Sequence, residues 1–371
     1  MKTFANLLLF PIFIFQSAIA AQTYIPNSSK VVVAKWEVTE PVYISPEHIA
    51  ELIREAKYPG NSANFAIAKN LLQQQKTDRT NVNTEQSLIE NTEYIYQKAV
   101  VAQYFHQFED SNKLLNIVIQ QRPEHTNAIL LKSNMHLLLG EFEQALQACT
   151  RLLGLAEQAI VAACGNYAKA QKGNVKQNLD SLMGFLRSQE TTSSDVSIWL
   201  AEIQASLAKD IGAFDLASTI LKPFLHGKVP VSFWVLWADI QIALNAPENV
   251  LTALGTVVRQ NKNKDDALLL RLAIAEKQMQ LSHKVWLPQA TARIDLRERR
   301  QDTEHAFDIA LYYLYIKEDA ETAHKWAKVN WQQAKLREDA ELLRLTENEL
   351  NNSKQQTKLI GQLLTYKVNA K

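Results

Sequence analysis

A turn that recurs at nearly constant spacing restricts this chain to a stack of like units. Residues 127–153 (NAILLKSNMHLLLGEFEQALQACTRLL) place apolar side chains at helical intervals, break at Gly140-Glu141-Phe142, and resume with Ala145, Leu146, Cys149 and Leu152 on one helical face. The break returns at Gly173-Asn174, at Gly212-Ala213-Phe214 and at Asn245-Ala246-Pro247, at intervals of 33, 39 and 33 residues. A non-repeating helical bundle of similar composition is the alternative. It has no reason to reproduce turn spacing, whereas a repeat array does, because each unit hides its apolar face only against the next.

The intervals bracket the roughly 34-residue period of tetratricopeptide hairpins, so the predicted fold is all-α, a right-handed superhelix of helical hairpins. Ten Gly and ten Pro in 371 residues leave few breaks and suit such an array. A small residue is needed where paired helices cross closely, and Ala145 and Ala217 take that place; Trp234 and Trp237 fill the gap in the hairpin before Asn245. Residues 94–123 and 305–331 read as further hairpins, the latter with Ala310, Tyr313, Ala323 and Ala327 in the corresponding places. Residues 62–75, 266–281 and 337–350 supply helices of partial or capping units.

The first residues read differently. Lys2, the apolar run of residues 7–15 and Ala18-Ile19-Ala20 form a cleavable export leader with cleavage after Ala20, the run being far short of the ~20 residues of a spanning helix. A periplasmic or secreted location follows, with no membrane span in the mature chain. Residues 30–38 (KVVVAKWEV) are β-branched and read as a short strand or extended arm. The organisation is thus a signal peptide over 1–20, an extended N-terminal arm and linker over 21–61, the repeat domain over 62–350 and a polar tail over 351–371. Forty Lys and Arg against 39 Asp and Glu give no global field toward nucleic acid or a membrane surface.

Residues 147–164 (QACTRLLGLAEQAIVAAC), 198–205 (IWLAEIQA) and 296–343 (LRERRQDTEHAFDIALYYLYIKEDAETAHKWAKVNWQQAKLREDAELL) resemble a family of exported bacterial tetratricopeptide-repeat proteins without an assigned biochemical role. The resemblance runs from about Asn64 to Leu345, and its clearest signatures are the AC...AAC pair and the NWQQAKLREDAELL ending. The chain departs from that family's arginine- and alanine-rich composition, carrying Lys, Gln and Asn instead. The family's association with a HupE/UreJ-type membrane protein implies a membrane-protein complex as one kind of partner. It supplies no catalytic residues.

Cys149 and Cys164 are the only cysteines. They flank a turn expected near residues 155–158, so an antiparallel helix pair brings them level; a disulfide joining two hairpins is predicted, with two small buried thiols as the alternative. The eight histidines are scattered without HExxH or CxxC spacing, and Glu304-His305 and Glu124-His125, taken as helical neighbours, point apart; no metal and no cofactor is expected. Phosphate-loop, dinucleotide and nucleophile-elbow signatures are absent, so the chain is not read as an enzyme. Residues 293–300 (RIDLRERR) read as a salt-bridged helix face.

What remains is the concave wall, lined by the first helix of each hairpin. Counting from the turns places Tyr96, Gln103, Tyr104, Asn127, Asn134, Tyr167, Gln171, Trp199, Glu202, Asp239, His305, Asp308, Tyr312 and Tyr315 there. Rings that bury apolar anchors, beside amides that satisfy a ligand's backbone, suit capture of a peptide or protein partner. The alternative for Trp199, Tyr312 and Tyr315 is that they fill the hairpin core. Alternative functions are a structural adaptor docked through the arm of residues 21–46 and, further off, a divergent cell-wall enzyme.

Overall fold

The computed structural model describes residues 44–74, 85–188 and 193–369, with side chains placed except in 85–87 and 356–369. All regular elements among these are helical. The expected leader and the β-branched segment of residues 30–38 lie outside the described residues.

Antiparallel hairpins follow one another: α1 (Pro46–Ala56) with α2 (Ala63–Gln74), α3 (Glu85–Tyr104) with α4 (Phe108–Gln121), α5 (Thr126–Leu138) with α6 (Phe142–Arg151), and α7 (Gln158–Lys172) with α8 (Val175–Leu186). Then come α9 (Ser194–Asp210) with α10 (Phe214–Leu221), and α11 (Val231–Ala243) with a helix built of α12 (Pro247–Asn249), a π-turn (Val250–Leu254) and α13 (Gly255–Gln260). The hairpin of α14 (Asp266–Gln278) and α15 (Leu287–Arg299) follows, then α16 (Ala306–Tyr312), extended by a π-turn (Tyr313–Lys317), with α17 (Ala320–Gln333), and last the single helix α18 (Arg337–Asn369). Each first helix packs on the first helix of the next unit, as α5 does on α7, α7 on α9 and α9 on α11.

The predicted breaks stand where the spacing put them, because each needs a residue that tolerates positive φ. Gly140, Gly173, Gly212 and Asn245 have φ of 78°, 138°, 73° and 56°. At helix starts, Ser45 and Ser193 accept bonds from the N–H groups of His48 and Val196, and Asp319 accepts from that of Thr322. Ala145, Ala217, Ala310, Ala323 and Ala327 are fully buried at the helix crossings. Trp234 and Trp237 are buried too, edge to face at 5.5 Å.

Three boundaries differ from the sequence reading. Residues 46–56, expected within the arm and linker, form α1. Residues 266–278 belong to a full hairpin, since α14 packs on α15. The expected tail after residue 350 continues α18 to Asn369. Between α14 and α15, buried Glu276 accepts from the backbone N–H groups of Val285, Trp286 and Leu287, satisfying donors at a helix start that no local cap reaches.

A larger difference concerns the superhelix. Its units were expected to touch only their neighbours, but the chain turns far enough to meet itself. The Lys57 carbonyl at the end of α1 accepts from the N–H of Val231 (2.8 Å), and Glu55 pairs with Lys228 at 2.7 Å. The Gly60 N–H donates to the Asp265 carboxylate at 2.7 Å. Gly60 has φ +83°, and a Cβ there would stand 2.7 Å from the Asn261 side chain. Gly60→Ala therefore strains the backbone and pushes the two ends of the turn apart. We expect a loss of about 1–3 kcal/mol in denaturant unfolding; an unchanged midpoint would mean that this contact contributes nothing to closure.

Closure continues at the other end. The corner between α17 and α18 enters the concave side, where the Lys335 N–H donates to the Leu138 carbonyl (2.9 Å) and the Arg337 N–H to Gln171 Oε1 (3.0 Å). The open groove of the sequence reading is thus a channel partly filled by the chain's own C-terminal corner.

Candidate functional site

Two cavities flank that corner. One, of about 710 Å³, is walled by side chains from α3, α5, α7, α9 and α11: Tyr96, Asn127, Asn134, Tyr167, Trp199, Glu202 and Asp239. The other, of about 800 Å³, lies against α18 and α16 and is lined by Gln171, Asp239, Tyr315 and Trp331 among others. Lys209, Asp239 and Glu338 face both, and the Lys209–Glu338 pair (3.5 Å) stands where they meet.

The first helices can form such a wall because their apolar residues pack sideways into two hairpins at once. Tyr167 shows the arrangement: it packs against the cores on both sides of α7 and still borders the cavity. The Tyr96 ring lies 4.7 Å from that of His125, whose Nδ1 accepts from the Ala128 N–H at the start of α5. His125 and His136 are buried.

Other predicted wall residues are placed elsewhere. Tyr312 is in the core, its hydroxyl donating to that of Thr291, because α14 and α15 cover that face of α16; this is the core-filling alternative realised. Asp308 binds Arg271 at 2.6 Å, and Gln171, though it borders the second cavity, is buried with its Oε1 taken by the Arg337 N–H. Tyr104 stacks on Phe65 with ring centres 3.7 Å apart, at the seam with α2. Gln103 and His305 line neither cavity. His305 instead faces Asp302 at 3.0 Å, in a turn that precedes α16, so Glu304 and His305 are not helical neighbours. Lys57, Ser206, Ser232 and Glu338 line the first cavity without having been anticipated: Ser206 and Ser232 are small polar residues with no pattern of their own, and Lys57 and Glu338 arrive only through closure.

The predicted salt-bridged face is present: Arg293 and Arg297 of α15 pair with Asp266, and Arg297 also with Asp302. The predicted disulfide joins Cys149 of α6 to Cys164 of α7, with Cα atoms 5.6 Å apart.

Burial sets the electrostatics of the channel. It pushes the Tyr96 phenol up to about 12 and raises Tyr167 and Tyr315 as well, so these rings stay neutral donors. Burial likewise lifts Glu202 to about 7, against the Ser232 hydroxyl and the Lys57 charge. Asp210 and Asp339 rise to about 6 for the same reason.

A carboxyl raised on folding favours the folded state below its unfolded pKa, near 4, and that contribution is lost as pH rises through the folded value. With three such groups, the thermal midpoint should climb as pH falls from about 7.5 to about 5.5, and Asp210→Asn should flatten the climb. His106, held down to about 4, acts in the opposite sense, so the comparison with the parent decides: an equal pH dependence in Asp210→Asn would contradict the burial of that carboxyl.

No family model matches the chain. No curated protein matches it either. Among solved structures, it is similar to the apo form of the quorum sensor NprR from B. thuringiensis, at 12% identity over 82% of this chain and 86% of that one, with a TM-score of 0.44. A tetratricopeptide repeat protein from Parabacteroides merdae is similar at 13% identity, over 81% and 98% of the two chains, with a TM-score of 0.36. The TPR domain of P58(IPK) is similar at 12% identity over 83% and 99%, with a TM-score of 0.23. The hairpin-repeat architecture stands on the chain's own turns and packing.

Proposed function

We propose that the protein is a non-enzymatic binding scaffold of the cell envelope that takes an extended segment of a protein or peptide partner into its channel. One observation carries the reading: five successive first helices send aromatic, amide and carboxylate side chains into a single cavity of about 710 Å³. That volume lies within the ~300–1,000 Å³ of ordinary ligand pockets and suits a few residues of extended chain. Asn127 and Asn134 can pair with its backbone, while Tyr96, Tyr167 and Trp199 cover its apolar side chains.

The envelope location is supported by the leader-like first residues and by the disulfide, which persists in oxidising compartments. Among the described residues no helix is long and apolar enough to cross a membrane.

The test is photo-crosslinking from position 134 in envelope extracts that include membrane proteins, with the captured partner identified and its affinity measured. Trp199→Ala should weaken that affinity by about 30-fold, the cost of losing a central aromatic anchor. Deletion of residues 21–43 should leave capture intact. The deletion stops there because the Ile44 and Pro46 carbonyls accept from Tyr94 and Gln97. Capture that survives Trp199→Ala but fails on the deletion assigns binding to the arm and sinks the channel reading.

A further inference from the structure

We infer that His106, Asp302, Glu304 and His305 form a site for a divalent late first-row transition-metal ion, with Zn²⁺ as the probe, which pins the end of α3 to the turn between α15 and α16. Asp302, Glu304 and His305 each offer a ligand atom, and these atoms lie within 4.8 Å of one another. The His106 ring comes from a distant part of the chain and stands 5.4 Å from that of His305, the planes tilted by 46°. Two imidazoles on one tetrahedral Zn²⁺, with Zn–N bonds near 2 Å, hold their ring centres about 5 Å apart. The observed ring separation is close to that spacing, and the His106 ring has to turn to bring a nitrogen up to the other three ligand atoms.

The donor set selects the class of metal. Two imidazole nitrogens and two carboxylates suit Zn²⁺ and its neighbours, while Mg²⁺ and Ca²⁺ call for oxygen donors throughout. The surroundings are those of a held ligand set. Asp302 accepts from Arg297 at 3.0 Å and from the Glu304 N–H at 3.1 Å, on the same two oxygens that face His305, so its orientation toward that ring is set. Glu304 is exposed, forms no ion pair among the described residues, and lies beside Asp302, a like charge that a cation would relieve. His106 takes positive φ (55°), and this backbone turn ends α3 and sets the ring toward His305. The adjacent Glu304-His305 pair was set aside as a ligand pair on the premise that both lie on a helix. The helix begins at Ala306, and the turn before it folds the two side chains together.

The experiment is calorimetric titration of the chelator-treated full chain with Zn²⁺, together with the visible spectrum of the Co²⁺ form. Saturable one-to-one binding is expected, with a higher thermal midpoint in the bound form. His106→Ala, His305→Ala and the surface change Glu304→Gln should each weaken binding by at least about 10-fold and alter the Co²⁺ bands, while His226→Ala at an exposed position elsewhere leaves both unchanged. Circular dichroism establishes that each variant is folded, and Glu304→Gln serves should a histidine variant not fold. Absence of saturable binding overturns the proposal. So does full affinity in Glu304→Gln, or in a folded His106→Ala, since a site without His106 does not join α3 to the α15–α16 turn.

Discussion

Arg271→Ala is expected to lower the unfolding free energy by about 3 kcal/mol, near the low end of the range for breaking a buried ion pair. Arg271 is 2% exposed in the middle of α14, and its guanidinium binds Asp239 of α11 at 2.9 and 3.3 Å and Asp308 of α16 at 2.6 Å. One side chain thus joins three successive first helices on the wall that lines the channel. Burial opposes its charge, but the two carboxylates prevail and hold it above the usual arginine range. Truncation leaves both carboxylates without their partner and opens a void. Asp239 and Asp308 keep some contact with water, with side chains 28% and 18% exposed, which limits the penalty. Denaturant unfolding reads the loss, and hydrogen exchange should place it in α11, α14 and α16. Combining Arg271→Met with Asp239→Asn and Asp308→Asn removes the stranded charges and should recover part of it. A single variant within about 1 kcal/mol of the parent would show that the three helices do not depend on this ion network.

Replacing both Cys149 and Cys164 by alanine should cost a similar amount, about 3 kcal/mol for a 15-residue loop. The bridge joins the second helix of one hairpin to the first helix of the next, the one kind of junction that a repeat array must hold by side packing alone. Its loss should therefore loosen α5 to α8 before the rest, read as faster exchange there and a lower midpoint that reducing agent reproduces in the parent. The unreduced protein should take up no alkylating reagent under denaturing conditions. Two alkyl groups added without reduction would remove the bridge from the account.

Much of the local structure was legible because it is set by neighbours in sequence. Gly140, Gly173, Gly212 and Asn245 mark turns since few other residues accept their backbone angles. Ala145 and Ala217 mark crossings since only a small side chain fits there. The cysteine pair could be read because fifteen residues around one turn bring two helices level. Tyr96, Asn127, Asn134, Tyr167, Trp199, Glu202 and Asp239 were placed on the inner wall by counting from those turns, and the cavity brings them together. Tyr312 was misplaced because helical periodicity shows a face and not what covers it.

By itself, then, the sequence determined the repeat, its turns, its crossings and the facing of the first helices, all consequences of contacts within a hairpin or between adjacent hairpins. Only the tertiary structure decided that the superhelix closes on itself, that Lys57 and Glu338 share one cavity, that the α17–α18 corner takes up Gln171, and that His106 meets His305. Small rotations between units add along the array, and where the chain returns depends on their sum. No local pattern of residues encodes that sum, so contacts between residues 57 and 231, 60 and 265, or 171 and 337 leave no periodic trace.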